Sequence, residues 1–565
     1  DLGTATANTI SGVATFSNLG ITGTATTSYT ITYSSGSLTT ATQSITVSVG
    51  AATQLVLTRS SVGTASGAAF TTQPQVTIKD SGGNVLASDS STQITATISS
   101  GGTLVGTTTA TASSGVATFS NLGITGTATT SYTITYSSGS LTTATQSIIV
   151  TVGAATSIAL TTSAAGSSSG AAFTTQPVIT IKDSGGNTVT SNTSTITATV
   201  STGGTIVGTA AVAAASGVVT YSGLGLTGAT GTYTLTYTVT TGSTSLTALT
   251  QTIAIAAGAA TKLVITTQPV NTANGATFAN IVVKVEDSGS NVVTTSTASV
   301  TASIKSGSGS FCSGATSSVN AVSGVATFSN LCIQGTTGSY TLTFASSGLT
   351  SADSNSFTLQ VGVVSKISLT TSAATASSGA TFGTQPVVTI QDSGGNTVTS
   401  NTSTITVTTS SGTLNGTAAV AAVSGVATFS GIGITGTTGS YTLTYSVTTG
   451  STSLTAITQS ITLSVGAASK LSIDTQPVGS SNGANLSTQP KILIQDSAGN
   501  TITSDNSTVV LISINSGSGG TLSGTLSATA SSGLVTFSGL SLSGIVGTNY
   551  VLRFASGSLT AVNSN

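Results

Sequence analysis

The chain has 565 residues, of which 10 are Lys or Arg and 11 are Asp or Glu, with two Cys and no His, Met or Trp. Charged side chains make up 4%, against about a quarter in a typical protein. That removes the commonest general base, the roughly four N or S ligands of a zinc or iron–sulfur centre, and the basic surface that tracks phosphates.

Residues 1–49 open with SGVATFS at Ser11–Ser17, then alternate Tyr29, Ile31 and Tyr33 with Thr30 and Thr32, and end on Ile45, Val47 and Val49. Residues 50–152 bring Val76 and Ile78, DSGGN at Asp80, then Ile94, Ala96 and Ile98 alternating with Thr, and SGVATFS at Ser114–Ser120. The same two anchors return in order. They are Asp183 and Ser216–Ser222 in 153–257, Asp287 and Ser323–Ser329 in 258–361, Asp392 and Ser424–Ser430 in 362–465, and Asp496 and Ser532–Ser538 in 466–565. Successive Asp positions lie 103, 104, 105 and 104 residues apart, the size of one β-sandwich domain. Residues 153–257 and 362–465 are near copies that share DSGGNTVTSNTSTIT, so a pair of domains is itself duplicated. Residues 1–49 match only the later part of a repeat, and 466–565 stops short of a last strand. The expectation is a window on a longer chain, with completion of the ends between subunits as the alternative.

Alternation with Thr on the outer side predicts strands buried on one face, and β-branched Thr, Val and Ile favour the pleated surface. Gly, Asn, Asp and Ser clusters between the runs supply hairpin turns, and helical periodicity is absent. Disorder is excluded, because hydrophobic residues reach 38% and net charge is −1. The expected fold is all-β, a tandem array of antiparallel sandwiches with about seven strands each. No apolar run approaches the ~18 residues of a membrane span.

The order KLxI, TQPV, DSGGN, SGVATFSNL and GSYTLTY, present with small changes from Lys262 to Phe344, resembles the bacterial Ig-like repeats of invasin- and intimin-type surface proteins. The resemblance covers nearly the whole chain and implies Ig-like β-sandwich domains in an extracellular or cell-surface, prokaryotic setting. Repeats of that family commonly carry more Asp and Lys than these.

Several residues invite a chemical reading. Cys312 and Cys332 occur together in one repeat, with Cys332 at a position held elsewhere by Gly123, Gly225 and Gly433. This predicts a disulfide across adjacent strands and an oxidising compartment; a redox pair lacks CxxC spacing and basic neighbours. The repeated Asp80, Asp183, Asp287, Asp392 and Asp496 are expected to cap hairpin turns, with a calcium site including Asp89 or Asp505 as the alternative. Lys262, Lys366 and Lys470 hold matching positions; solvated lysines are expected, against an isopeptide link from Lys262 to Asn355 beside Glu286 or Asp287. Sequons stand at Asn192, Asn401, Asn415, Asn485 and Asn506, and O-linked sugars on Thr faces are an alternative modification.

No catalytic residues, metal or cofactor are expected. The leading functional expectation is a structural one: an extracellular repeat protein that forms a filament, sheath or surface layer by self-association of low-charge domains. Its partners are copies of itself, with the cell envelope or glycans as further candidates, and no nucleic acid. The alternative is the stalk of a giant adhesin whose binding head lies elsewhere.

Overall fold

A computed structural model describes residues 2–479 and 481–565, and all regular structure in them is β. It divides into two compact units, Asp1–Thr261 with Glu286–Val293, and Lys262–Val285 with Thr294–Asn565.

In the first unit, residues 50–152 show how a repeat is built. Their strands are β1 (Gln54–Arg59), β2 (Ala68–Ala69), β3 (Gln75–Lys79), β4 (Gln93–Ile98), β5 (Thr103–Val105), β6 (Thr109–Ser113), β7 (Val116–Thr118), β8 (Gly123–Thr125), β9 (Ser131–Ser137) and β10 (Ala144–Ile149). One sheet runs β10-β9-β4-β6-β7-β3-β1, and a small one runs β2-β8-β5. Strand β6 connects the two faces of the sandwich: its first residues pair with β4 and its last with β7. The ladders are antiparallel, but a parallel bridge between Ala65 and Thr151 brings the segment after β1 alongside the segment that follows β10.

Residues 153–257 distribute the same elements over three sheets. The first holds Ser157–Thr162, Val178–Lys182 and Val218–Thr220; the second holds Ala211–Ala213, Thr195–Val200, Gly231–Thr241 and Leu249–Ile255. A third, small sheet pairs Ala171–Ala172, Gly225–Gly228 and Gly204–Val207. The second unit repeats the plan in 362–465 and 466–565. The expected seven strands per repeat is therefore too few: ten are described in 50–152. The additional ones are short, built from Gly-, Ala- and Thr-rich segments too brief to show alternation. Strand Ala41–Thr46 also ends before Val47 and Val49, which the alternation had included.

Period-two patterning explains each face. In β9, Tyr132, Ile134 and Tyr136 are buried while Thr133 and Thr135 turn outward. Burying each such apolar side chain contributes about 1.5–3 kcal/mol. The Phe of SGVATF is a core residue: Phe119 meets Tyr136 at 5.4 Å between ring centroids, and Phe429 meets Tyr445 at 5.9 Å. The Ser-Gly before it is a two-residue hairpin with positive φ at both positions, 51° at Ser114 and 74° at Gly115, the type I′ turn that matches strand twist. A Cβ on Gly115 would also stand 2.5 Å from the Leu86 carbonyl oxygen, so this Gly is required twice over.

A tyrosine at the start of the longest central strand ties back to the preceding loop. Thr127 donates its N–H to the Tyr132 hydroxyl at 2.9 Å, and the Tyr441 hydroxyl donates to the Thr437 carbonyl at 2.7 Å. This is the tyrosine corner of Ig-type sandwiches.

Candidate functional site

The DSGGN turn is more than a hairpin cap. Within its own loop, the Asp80 carboxylate accepts the Asn84 N–H at 2.8 Å and the Asn84 side-chain amide at 3.0 and 3.1 Å. It also accepts the N–H of Gly50 at 2.8 Å, and Gly50 lies in the segment leading out of residues 1–49. Asn84 then reaches into that preceding segment: its Nδ2 donates to the Gly23 carbonyl at 2.8 Å, and its Oδ1 accepts the Ala25 N–H at 2.6 Å. One Asp and one Asn thus latch a turn to the connecting segment and to the loop before the tyrosine corner.

The latch recurs with the same atoms. Asp183 takes the Gly153 N–H at 2.8 Å, while Asn187 bonds the Gly126 carbonyl and the Ala128 N–H at 2.9 and 2.7 Å. Asp287 takes Gly258 at 2.7 Å and Asn291 bonds Gly228 and Thr230, still inside the first unit. In the second unit Asp392 and Asn396 hold Gly362, Gly335 and Thr337, and Asp496 and Asn500 hold Gly466, Gly436 and Thr438. A Cβ on Gly153 would stand 1.9 Å from the Ser66 carbonyl oxygen, so the connecting residue must be Gly for the segment to approach so closely.

Every one of these five carboxylates is buried. The Gly50 N–H, followed by the Asn84 amide, holds the Asp80 carboxyl at about 2. At Asp183, Asp287 and Asp496 burial pushes the carboxyl up, but donation from the Gly and Asn groups outweighs it and the net direction is down. A carboxylate has about four acceptor sites, and here they face N–H donors rather than an open cation position. Among the described residues there is no group of three or more His, Cys, Asp or Glu placed to hold a metal. Asp89 directs its carboxylate to the N–H groups of Ser91 and Thr92 and to the Thr92 hydroxyl, and Asp505 does the same at Ser507 and Thr508.

The lysines near these turns act as local donors: Lys182 Nζ bonds the Gly186 carbonyl at 2.8 Å, and Lys470 Nζ the Ser497 carbonyl at 3.4 Å. The backbone N–H of Asn355 donates to Gln268 Oε1 at 2.9 Å. Cys312 and Cys332 are joined in a disulfide with Cα atoms 5.5 Å apart, at the ends of the paired strands Gly309–Phe311 and Ile333–Gly335. Of the sequon asparagines, Asn192 and Asn401 each accept a backbone N–H two residues on, from Ser194 and Ser403, and donate to Ser243 and Ser451. Asn485 is exposed.

What sequence reasoning missed is the reach of the turn into the preceding segment. A signal was present: a Gly precedes each Asp by 29 or 30 residues, at Gly50, Gly153, Gly258, Gly362 and Gly466.

Neither a protein-family model nor a curated protein sequence matches the chain. Among solved structures it is similar to domains 1–6 of the surface layer protein SbsC, at 16% identity over 91% of this chain and 66% of that one, with a TM-score of 0.18. It is similar to invasin, a bacterial integrin-binding protein, at 16% identity over 75% of this chain and 82% of that one, with a TM-score of 0.21. It is also similar to the Escherichia coli adhesin FdeC, at 18% identity over 55% of this chain and 96% of that one, with a TM-score of 0.21. The chain thus spans just under two thirds of the surface-layer structure. At such identities and scores the Ig-like assignment rests on the strand pairings and tyrosine corners above.

Proposed function

We propose that this chain is a structural, extracellular or cell-surface protein of a prokaryote, in which Ig-like sandwiches at 50–152, 153–257, 258–361, 362–465 and 466–565 are latched in series. In this reading the chain works by self-association into a filament, sheath or surface layer, and no catalysis is involved. The observation that carries the structural role is the latch: one Asp-Asn pair bridging connecting Gly and preceding loop, repeated five times with the same atoms. Low charge is what favours self-association over a lone stalk. Uncharged Thr and Ser faces bring little repulsion when copies meet, whereas most soluble proteins keep apart through charge.

Electron microscopy of the purified chain, with light scattering across a salt series, tests the proposal. Ordered polymers or sheets that persist at high salt are expected, because there is little charge to screen. Isolated tethers at all concentrations would overturn it in favour of an adhesin stalk, a role that serial latches would also serve. Envelope or glycan attachment is a separate property, read by binding to isolated cell walls.

A further inference from the structure

Three repeats carry an outward sheet face of unusual uniformity. In 153–257, Thr199 pairs with Thr236 and Thr236 with Thr250, making a row of three threonines across three strands. In 362–465 the row is Thr408, Thr444 and Thr458. Thr97, Thr135 and Thr145 form it in 50–152. In 153–257 and 362–465 the flanking outward positions are Thr, Ser or Ala, in 50–152 Gln93 and the exposed Ile149 join them, and the strands of all three faces contain no charged residue. The central Thr236 and Thr444 are half-buried among their neighbours, and the outer threonines are exposed.

The corresponding faces of the other two repeats differ. Lys305 forms an ion pair with Asp353 on the face of 258–361. Arg553, with exposed Val509 and Leu511, occupies that of 466–565.

We infer that the threonine faces of 50–152, 153–257 and 362–465 are the surfaces through which copies of this chain pack against one another; this rests on the self-association proposed above. A hydroxyl is donor and acceptor at once, and a threonine adds a methyl group, so a threonine lattice supplies what another threonine lattice needs. Two such neutral faces meet without like-charge repulsion, and a charged partner gains nothing there. Strand addition is the poorer route: one edge of the sheet is only Ala211–Ala213 or Ala419–Ala421, and on the other side Leu249–Ile255 and Ile457–Ser464 are already lined by the segments that Gln251 and Gln459 hold at Ala164 and Ala373. Four strands at ~4.8 Å by seven residues at ~3.3 Å give a face of roughly 400 Å². A standard interface covers about 800 Å² per partner, so at least two faces per chain must engage together.

The test replaces Thr135, Thr236 and Thr444 together by Glu in one full-length chain and by Lys in another. Circular dichroism and the thermal transition confirm folding. Each variant alone is expected to lose assembly by about tenfold or more in concentration, through like-charge contact. A mixture of the two is expected to recover it, now in a salt-sensitive form. Ser303→Glu, on the charged face, is expected to assemble as the unmodified chain does. Thr236→Cys and Thr444→Cys, which perturb folding least, are expected to give disulfide-linked copies on oxidation, and Ser303→Cys none. Normal assembly of the Glu chain, or a mixture that fails to recover, overturns the threonine face while leaving self-association standing. An unmodified chain that never assembles removes both.

Discussion

Residues 362–465 and 466–565 lie in the same unit and share one topology, yet they brace the sandwich in opposite ways. In 362–465 the last long strand supplies Gln459, whose amide accepts the Ala373 N–H at 3.0 Å and donates to the Ala373 carbonyl at 2.6 Å. Tyr445 donates its hydroxyl to the same Gln at 3.2 Å. In 466–565 the glutamine comes from the first strand's side instead: Gln476 accepts the Asn565 N–H, as Gln268 accepts that of Asn355 in 258–361. The aromatic partner is then Phe554, or Phe344, with no hydroxyl to satisfy. The loop contact to the tyrosine corner switches too, from Ser378 on Gly436 to Asn482 on Gly544. Repeats of one fold are thus two sets of mutually dependent residues, and a residue is suited to its position only with its own set.

The largest effect is expected at the latch. Asp496→Ala leaves the half-buried N–H groups of Gly466, Ala498 and Asn500 without their acceptor, a local cost of about 2–3 kcal/mol. Fast amide exchange at Gly466 and protease cleavage beside it are the readouts. The Asp392 turn meets the Gly335 loop, which an asparagine, Asn274, holds in place of a serine; Asp392→Ala should respond equally at Gly362, and an unequal response would show that the two sets latch differently.

Next comes Phe554→Tyr. It places a hydroxyl in a fully buried site whose final strand, Val562–Asn563, brings no glutamine, at a cost of about 1–3 kcal/mol. Loss of exchange protection in Leu534–Thr536 would report it; an unchanged profile would mean that the sets are interchangeable. The reverse change, Tyr445→Phe, removes one hydrogen bond and is expected to cost about 1 kcal/mol, read the same way in Val426–Thr428.

Acid gives the smallest effect under ordinary conditions. Asp80 is held at about 2, below the ordinary carboxylate value of about 4. Its contribution is therefore complete above about pH 4 and is lost as pH falls through 4 towards 2. Exchange at Gly50 should accelerate only in that window, once the intrinsic rate is allowed for.

Much of the fold is legible in the sequence because its determinants are local. Thr alternation marks Gln93–Ile98 and Ser131–Ser137, and Ser-Gly marks a type I′ hairpin whose geometry only two adjacent residues decide. The latch and the glutamine brace are not legible in this way. Asn84 meets Gly23 across 61 residues and Gln459 meets Ala373 across 86, so neither partner leaves a pattern near the other. The short strands Thr103–Val105 and Gly123–Thr125 are likewise set by each other across the chain, which is why they escape a count based on alternation.

The latches hold their carboxylates with backbone and Asn N–H groups alone. A connection made in this way takes its order from covalently attached donors that travel with the chain, not from a dissolved ion whose concentration varies with the surroundings. Exposure to chelators, dilution or seawater changes none of its ligands. The link is therefore expected to be the same whatever the calcium concentration around it, and at Asp80 it weakens only as pH falls below about 4.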